Sequence, residues 1–205
     1  MNIVIEILLA LLLGYFLGSI PFALVIGKVF YHKDIRQYGS KNLGGGNAGR
    51  VLGKKAGLAV MTLDILKVTL VIGLTSLLPH AEVITILGGL AAAAGHCFPV
   101  FANFKGGKAV ATMYGFLFGM MLFQGYSACI FFLPLLTFLA VLYLTKIIAL
   151  GSIASAVINT VYIGLVADSP LLCMASAIFT VVIMIRHRKN IERIRKGEEN
   201  KITWM

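Results

Sequence analysis

Continuously apolar runs alternate with short polar segments along almost the whole chain. A helix that crosses the hydrocarbon core of a bilayer needs about 20 mostly apolar residues. The runs approach that length and show no apolar–polar alternation, so they predict membrane-spanning helices and not the strands of a barrel. The seven predicted spans cover residues 2–29, 56–78, 83–101, 109–123, 128–144, 149–166 and 171–185.

Three of these runs carry features beyond hydrophobicity. Pro21 removes a helical hydrogen bond and predicts a kink or break in the first span. Asp64 and Lys67 lie three residues apart in the second span, where they can pair on one helix face. Charges inside a membrane also mark functional sites, but this spacing favours a structural pair. The small residues GGLAAAAG at 88–95 predict close packing of the third span.

Lysine and arginine residues concentrate in every second loop. They lie in the loops after the first, third and fifth spans, in the flanks of those loops and in the C-terminal tail, with Lys67 as the exception. Basic residues are retained on the cytoplasmic side of a membrane, so the N-terminus is predicted outside and the C-terminus inside. The net charge of +10 follows from this topology and does not indicate nucleic-acid binding. The tail itself predicts a basic helix along anionic lipid headgroups.

The composition excludes a water-soluble domain. The 205 residues are 59% hydrophobic and only 13% charged, with a mean hydropathy of +0.93. We therefore predict an all-α polytopic membrane protein, a single bundle of seven transmembrane helices forming one membrane-embedded domain, residues 1–205. The first run is too long for a signal peptide and lacks a basic start, so it predicts a retained helix. The scattered cysteines Cys97, Cys129 and Cys173 give no disulfide framework or zinc site, and no metal is expected.

The most informative polar segment, residues 38–55, reads YGSKNLGGGNAGRVLGKK. Glycines allow positive φ and close approach of the backbone, so that successive N–H groups can face an anion. A helix N-terminus, hydroxyl and amide side chains and an arginine add further donors for phosphate. A flexible linker is the alternative, but a spacer needs no such polar side chains. The segment predicts a phosphate cradle with donors from Ser40, Asn42, Gly44, Gly45, Gly46, Asn47 and Arg50.

A second segment with glycines and basic residues follows the third span, GHCFPVFANFKGGKAVAT at 95–112. Its KGGK turn at 105–108 predicts another anion-binding backbone, although a positively charged membrane anchor has similar residues. His96 lies just inside the membrane end of the third span. We interpret it as a substrate-positioning donor in preference to a catalytic base.

Two later segments add polar residues on the same predicted side of the membrane. Ser152 is a candidate donor in the segment TKIIALGSI, and the tail begins with RHRKN. Either Arg186 or Arg188 can be a snorkelling anchor. The accompanying His187 and Asn190 favour a polar pocket instead.

Together these four segments resemble the motifs of the bacterial acyl-phosphate glycerol-3-phosphate acyltransferases, small multispanning enzymes that start phospholipid synthesis. The matching patterns are GSxNxGxxNxxR at 39–50, GHxFPVFxxFKGGKxVAT at 95–112, the Ser152 segment, and RHRxNIxR with KGEE at 186–199. The resemblance implies transfer of a fatty acyl group from acyl phosphate to the 1-hydroxyl of sn-glycerol 3-phosphate, which yields lysophosphatidic acid and phosphate. It also implies the bacterial cytoplasmic membrane, an active site on the cytoplasmic face, and functional coupling to the enzyme that makes acyl phosphate.

A role for each candidate residue follows from the resemblance. The implied catalytic residues are Ser40, Arg50, His96 and Lys108. The acyl phosphate is expected to bind to the seven residues of the cradle. Glycerol 3-phosphate is expected to bind to His96, Lys105, Gly106, Gly107, Lys108, Ser152, His187, Arg188 and Asn190. No cofactor is implied.

The chain departs from the family pattern inside these motifs. Residues that differ from the usual ones are Lys41, Gly45, Gly46, Gly49, Ala109 and Ala149. Each lost hydroxyl removes a possible phosphate donor, worth on the order of 1 kcal/mol when buried. A divergent paralogue with another acyl acceptor or no activity is therefore one alternative. A transporter for organic phosphates is another, but the predicted outer loops contain few charged residues and no internal repeat is visible.

The expected chemistry needs no nucleophile from the protein, because an acyl phosphate is already activated. We identify no candidate carboxylate base in the cytoplasmic motifs, since Asp34 and Glu192 flank them and Asp64 lies deep in the second span. The chain also lacks the His-x4-Asp signature of the other membrane glycerolipid acyltransferases. We therefore expect direct attack by the acceptor hydroxyl, with an oxygen of a substrate phosphate as the proton acceptor.

Overall fold

The computed structural model describes residues 2–202, which divide after Gln124 into two compact units. The single domain stays a prediction. The first unit contains α1 Ile3–Gly18, α2 Phe22–Tyr31, α3 Gly45–Leu52, α4 Lys54–Thr75, α5 Ala81–Cys97 and α6 Val110–Phe123, with 3-10 helices at Ile35–Gln37 and Val100–Ala102. The second unit contains α7 Cys129–Thr145, α8 Ile148–Val166, α9 Pro170–Arg186 and α10 Arg188–Arg195.

The predicted all-helical membrane class is confirmed. Within residues 2–202, four segments are long and apolar enough to cross a bilayer, namely Ile3–Tyr31, Lys54–Thr75, Ala81–Ala102 and Ile148–Val166. A fifth arises if α9 and α10, which are bent by 57° at their junction, form one broken span. The apolar helices α6 and α7 have only 14 and 17 residues. The count of seven spans and the orientation of the termini stay predictions.

Helices α1 and α5 pack in parallel through small residues. A Cβ atom on Gly14 would collide with the carbonyl oxygen of Gly88, and one on Gly18 with the backbone of Ala92. Both contacts advance by four residues in the same direction, which is the spacing at which small residues let two helix backbones touch in a membrane. The close packing predicted from the GGLAAAAG run is therefore present, and its partner is the first helix.

Helix α4 runs antiparallel to α5 and parallel to α6. Lys67 of α4 contacts His96 of α5, whereas Ile72, later in α4, lies against Gly89, earlier in α5. The two helices therefore run in opposite directions. The predicted kink at Pro21 is also confirmed, because α1 ends at Gly18 and α2 starts at Phe22. These directions bring the connection between α2 and α4 and the connection between α5 and α6 to the same end of the first unit. We call this end, formed by residues 32–53 and 98–109, the loop end.

In the second unit, α8 and α9 are antiparallel and joined by hydrogen bonds. The hydroxyl of Thr180 donates to the carbonyl of Ala156 over 2.8 Å, and that of Thr160 donates to the carbonyl of Ser176 over 3.0 Å. The predicted basic helix of the tail is present only over α10, which is bent by 57° from α9 and does not continue it as one straight helix; its position on a lipid surface stays a prediction. The chain then returns to the α7–α8 connection, where the amide of Ile202 donates to the carbonyl of Lys146 over 2.8 Å.

Candidate active site

The side chain of Asn47 braces the loop that carries Ser40. Its amide nitrogen donates to the carbonyls of Ile35 and Tyr38 at 3.2 and 3.3 Å, and its amide oxygen accepts from the Ser40 amide at 2.8 Å. The residue is only 2% exposed. The sequence predicted Asn47 as a direct ligand of acyl phosphate, but in the structure its amide is committed to the protein backbone. Its geometry is that of a residue that positions Ser40.

The three consecutive glycines of the cradle lie at the start of helix α3. Gly44 has φ −133° and is the N-cap of α3, while Gly45 and Gly46 already belong to that helix. The positive φ values in this segment belong to Gly39 and Lys41, both at 58°, and to Gly53 at 99°. Gly44–Gly46 therefore do not contribute through positive φ, and their binding of a phosphate stays a prediction. Their amides instead lie at a helix start, where the first N–H groups have no partner within the helix.

Gly45 has a packing role that its sequence context did not reveal. A Cβ atom there would lie 2.9 Å from the carbonyl oxygen of Gly57 and 3.1 Å from Cβ of Met61. A Cβ on Gly57 would in turn lie 2.6 Å from Cα of Gly49. Helices α3 and α4 therefore touch backbone to backbone at glycines. This contact fixes the direction of α3 and of its N-terminus.

The outward face of α3 carries the exposed polar groups of the first segment. Gly46 and Arg50 are both exposed and lie four residues apart, on one helix face. Ser40, on the loop braced by Asn47, is exposed as well, and Asn42 is half-buried. A hydroxyl, a guanidinium and the start of a helix are all suited to a phosphate group.

The loop before α3 is held by an ion pair between Asp34 and Arg36. The guanidinium of Arg36 lies 2.6 Å from a carboxylate oxygen of Asp34, whose other oxygen accepts from the Arg36 amide at 3.1 Å. The hydrogen bonds from Arg36 lower the pKa of Asp34 from 3.8 to about 2. The pair caps the 3-10 helix that leads into the loop of Ser40.

This ion pair predicts a pH dependence of stability at acidic pH. Since the pKa of Asp34 is lower in the folded protein, its stabilising effect is complete above about pH 4 and disappears as the pH falls towards 2. An Asp34→Asn variant is expected to unfold at a lower temperature than the unchanged protein at pH 5, with the difference closing near pH 2. Thermal unfolding in detergent from pH 2 to 5 measures this, and a difference that does not vary with pH contradicts it.

The second glycine-containing segment folds into the first unit and packs on His96. Gly106 and Gly107 are buried, and the Gly107 amide donates to the carbonyl of His96 over 2.9 Å. A Cβ atom on Gly106 would collide with the carbonyl oxygen of His96, and one on Gly107 with its ring nitrogen Nε2. These two glycines thus allow the KGGK turn to approach His96 closely. Lys108 directly follows and is half-buried, while Lys105 is exposed.

A buried polar cluster lies behind His96. Lys67 Nζ is 2.6 Å from Oδ1 of Asp64 and 3.2 Å from Nδ1 of His96, and the last two atoms are 3.5 Å apart. All three residues are at most 6% exposed. The predicted Asp64–Lys67 pair is confirmed, but the sequence did not link it to His96, which lies 29 positions beyond Lys67. The available signal was that His96 is the ionisable residue inside the third apolar run.

One apolar cluster joins the two glycine-containing segments. Ala102, between α5 and the KGGK turn, packs in the same buried cluster as Leu43 and Ala48 of the first segment. Residues of α2 and α4, among them Ile26 and Val60, complete the cluster. The segments that carry Ser40, Arg50, His96 and Lys108 are therefore built on a common core at the loop end.

In the second unit, Ser152 and His187 lie at the same end of the α8–α9 pair. The hydrogen bonds of Ala156 with Thr180 and of Thr160 with Ser176 set an antiparallel register in which Ser152 is level with residue 184. One helical turn, about 5 Å along the axis, then separates this level from His187. The Ser152 hydroxyl donates to the carbonyl of Ile148 over 2.9 Å, and Nδ1 of His187 donates to the carbonyl of Ile183 over 2.8 Å.

Glu199 binds Asn190, one of the remaining predicted site residues of this unit. Its carboxylate accepts from the amide nitrogen of Asn190 at 2.6 Å and from Nε of Arg193 at 2.7 Å. Asn190 is buried by this arrangement, whereas Arg188 is exposed at the start of α10. From the sequence, KGEE at 196–199 was recognised only as part of a motif, and no hydrogen-bond partner was predicted for Glu199.

Comparison with known proteins identifies the family. The sequence model of the family described as glycerol-3-phosphate acyltransferase matches residues 8–197. The chain belongs to the glycerol-3-phosphate acyltransferase family.

Relatives and solved structures agree with this assignment over almost the full length. Proteins named glycerol-3-phosphate acyltransferase from Enterococcus faecalis and Bacillus subtilis are each 43% identical; 97% of this chain aligns with 93% and 99% of their lengths. The crystal structure of PlsY (YgiH), an integral membrane glycerol 3-phosphate acyltransferase, in its glycerol 3-phosphate form has a TM-score of 0.88 at 31% identity. The alignment covers 96% of this chain and 95% of the PlsY chain. Its lysophosphatidic acid form has a TM-score of 0.84. The resemblance stated from the motifs is thus confirmed.

Two departures from the family pattern lie at backbone positions that favour glycine. Lys41 has φ 58° and Ala109, which caps α6, has φ 63°. A residue with a Cβ atom loses roughly 1–2 kcal/mol in this left-handed conformation. Backbone geometry therefore accounts for the glycines that the family pattern has at these two positions.

Replacing Lys41 by glycine is expected to stabilise the protein. Relief of the left-handed strain exceeds the entropy that glycine loses on folding, which leaves a gain of about 0.5–1 kcal/mol. The matched control is Lys55→Gly, also exposed but within α4, where glycine is expected to destabilise by up to about 1 kcal/mol. Thermal unfolding in detergent compares the two, and equal shifts in the same direction would refute the explanation.

Proposed function

We propose that the protein transfers a fatty acyl group from acyl phosphate to the 1-hydroxyl of sn-glycerol 3-phosphate and releases lysophosphatidic acid and phosphate. Family membership supports the reaction class. The observation that carries the proposal is the loop end, where two segments with phosphate-binding chemistry, around Arg50 and Lys108, share one apolar core. Two anion-binding segments suit a reaction in which both substrates carry phosphate.

The donor phosphate is assigned to the first segment. Ser40 and Arg50 are exposed there beside the first-turn amides of α3, including that of Gly46, and Asn42 is half-buried nearby in the chain. These groups would hold the phosphate and the charge that develops on it as the acyl bond breaks. Asn47 contributes by bracing the loop of Ser40.

Glycerol 3-phosphate is assigned to the second segment. The names of the solved relatives support the choice of acceptor, because one PlsY structure is a glycerol 3-phosphate form and the other a lysophosphatidic acid form. His96 would orient the acceptor as a neutral hydrogen-bond donor, and Lys108 would do so through its positive charge. Further ligands are proposed to be Lys105, Gly106, Gly107, Ser152, His187, Arg188 and Asn190.

An apolar groove on α1 offers a place for the acyl chain. Leu9, Leu13 and Phe16 line a cavity of about 570 Å³ together with Phe101. Phe101 belongs to the connection that leads to the KGGK turn, so one end of the groove reaches the loop end. Its lining of leucine, isoleucine and phenylalanine side chains suits an alkyl chain, since burial of apolar surface drives such binding.

The proposed chemistry is a single displacement. The 1-hydroxyl oxygen of glycerol 3-phosphate attacks the acyl carbonyl carbon, the bond from that carbon to the phosphate oxygen breaks, and inorganic phosphate leaves. The hydroxyl proton passes to an oxygen of a substrate phosphate, so no protein base is needed. Positioning of the two substrates supplies much of the rate, and fixed donors stabilise the developing charge.

The remaining assignments concern the setting of the enzyme. We propose one acyltransferase domain of seven spans, with the N-terminus outside and the C-terminus in the cytoplasm. The location is the cytoplasmic membrane of a bacterium, and the loop end faces the cytoplasm, where glycerol 3-phosphate is available. The donor would come from an enzyme that makes acyl phosphate, with functional coupling between the two.

Substrate tests on the purified protein decide the proposal. Acyl phosphate, acyl-CoA and acyl carrier protein are supplied separately, with and without glycerol 3-phosphate, and lysophosphatidic acid is measured. We expect product only from acyl phosphate with glycerol 3-phosphate, and near-complete loss in Arg50→Ala and Lys108→Ala. Transfer from acyl-CoA alone, or unchanged activity in both variants, would refute the donor or the site. Transfer only to a different acceptor would indicate the divergent paralogue.

A further inference from the structure

We propose that Asp64 and Lys67 are positioning residues that hold His96 as a neutral imidazole with its hydrogen on Nε2. His96 is then a hydrogen-bond donor towards the KGGK turn and not a general base. The catalytic consequence rests on the proposed function, whereas the protonation state of His96 does not.

The ammonium group of Lys67 determines the protonation state of its neighbour. A lysine ammonium has three hydrogens to donate, and three acceptors lie within reach of Nζ. These are Oδ1 of Asp64 at 2.6 Å, the carbonyl of Ile20 at 3.0 Å and Nδ1 of His96 at 3.2 Å. The Ile20 carbonyl is available because Pro21 interrupts the first span. For the third bond to form, Nδ1 of His96 must present a lone pair.

The other protonation states of His96 conflict with this cluster. A hydrogen on Nδ1 would point at an ammonium only 3.2 Å away, and its carboxylate acceptor on Asp64 lies at the longer distance of 3.5 Å. A doubly protonated ring would also give the cluster a net positive charge. Since all three residues are at most 6% exposed, an uncompensated charge there is costly. With the hydrogen on Nε2, Nδ1 of the neutral ring accepts the third hydrogen bond of the Lys67 ammonium. The charges of Lys67 and Asp64 then cancel, so the cluster has no net charge.

The orientation of the ring then determines which hydrogen bonds His96 can form with a substrate. Nδ1 faces Lys67, while Nε2 borders Gly107 in the turn that carries Lys108. A protonated Nε2 cannot accept the hydroxyl proton of a substrate, and Nδ1 faces away from the turn. His96 is therefore limited to donating a hydrogen bond. This agrees with a mechanism in which a substrate phosphate takes the proton.

Nitrogen NMR of the purified full chain tests the protonation state directly. The chain has four histidines, and imidazole-labelled protein at neutral pH gives separate signals for protonated and unprotonated ring nitrogens. Signals of His96 are assigned by their loss in His96→Gln. We expect an unprotonated Nδ1 and a protonated Nε2. A hydrogen on Nδ1, alone or together with one on Nε2, would overturn the proposal, and no variant needs to remain active for this result.

Two substitutions of Lys67 separate positioning from general stability. Lys67→Met removes the donor and leaves the carboxylate of Asp64 unpaired, so His96 is expected to carry a hydrogen on Nδ1, towards Asp64, with a fall in kcat of about tenfold or more. Lys67→Gln removes the same charge but retains an N–H donor, and it is expected to restore an unprotonated Nδ1 and most of the lost kcat. A Lys67→Met variant that keeps the wild-type signals and kcat would refute the proposal.

The outcomes distinguish this proposal from the proposed function. If His96 shows the Nε2–H signals but no acyl phosphate is consumed with glycerol 3-phosphate, the proposed function fails and the protonation state stands. If acyl transfer is found but His96 carries its hydrogen on Nδ1, only the role of Asp64 and Lys67 fails. Each result therefore bears on one of the two.

Discussion

A Gly107→Ala variant is expected to lose acyl transfer by about a thousandfold. The new methyl group would occupy the position of the His96 ring, whose nitrogen Nε2 lies at the site of the added Cβ atom. The ring has little freedom to move, because it is 6% exposed and its other nitrogen contacts Lys67 at 3.2 Å. Either His96 or the turn that carries Lys108 must shift. Steady-state rates with acyl phosphate and glycerol 3-phosphate measure the effect.

A double variant and a control glycine test the steric reason. His96→Ala provides space for the methyl group, so Gly107→Ala is expected to lower the unfolding temperature in the wild-type background and hardly at all in the His96→Ala background. Gly49→Ala is the control, since a Cβ there would meet Cα of Gly57 at 3.6 Å, an ordinary van der Waals distance. Equal destabilisation by Gly107→Ala in both backgrounds would show that the ring is not the obstacle.

Hydrophobic pattern was sufficient to predict the apolar helices of this protein but not all of their lengths. The break at Pro21 and the pairing of Asp64 with Lys67 follow from local chemistry, and both are present. Helix α3 was not predicted, because its sequence, GGNAGRVL, contains three glycines and has low helix propensity. It is stabilised instead by backbone contact with α4 at Gly57, a contact between distant residues that local pattern does not contain.

The roles of glycines and of buried polar residues were the least predictable part of the site. A glycine in a sequence can serve positive φ, helix packing or approach to a side chain, and these differ only in three dimensions. Gly39 has the first role, Gly45 the second and Gly107 the third. His96 shows the same limit, since its residue type pointed to a polar site, whereas its proposed role depends on Lys67, which only the fold brings into contact with it.

Replacing Asn47 by alanine is expected to disorder the loop of Ser40 and to reduce acyl transfer by about a hundredfold. The change leaves two carbonyls, of Ile35 and Tyr38, and the amide of Ser40 without their partner. The expected destabilisation is about 3 kcal/mol, because an unsatisfied buried polar group costs about 1–3 kcal/mol and part of this loop can reach water. Thermal unfolding and steady-state kinetics measure the two effects.

Limited proteolysis separates bracing by Asn47 from direct binding of phosphate. Trypsin is expected to cleave after Arg36 and Lys41 faster in Asn47→Ala than in the unchanged protein, since both residues flank the braced loop. Asn42→Ala is the matched control: its side chain is half-buried near the same loop but is assigned to the ligand, so its cleavage rate is expected to stay unchanged while the KM for acyl phosphate rises. If Asn47→Ala instead raises only that KM and leaves stability and cleavage as they were, then Asn47 binds the phosphate itself and the bracing role is refuted.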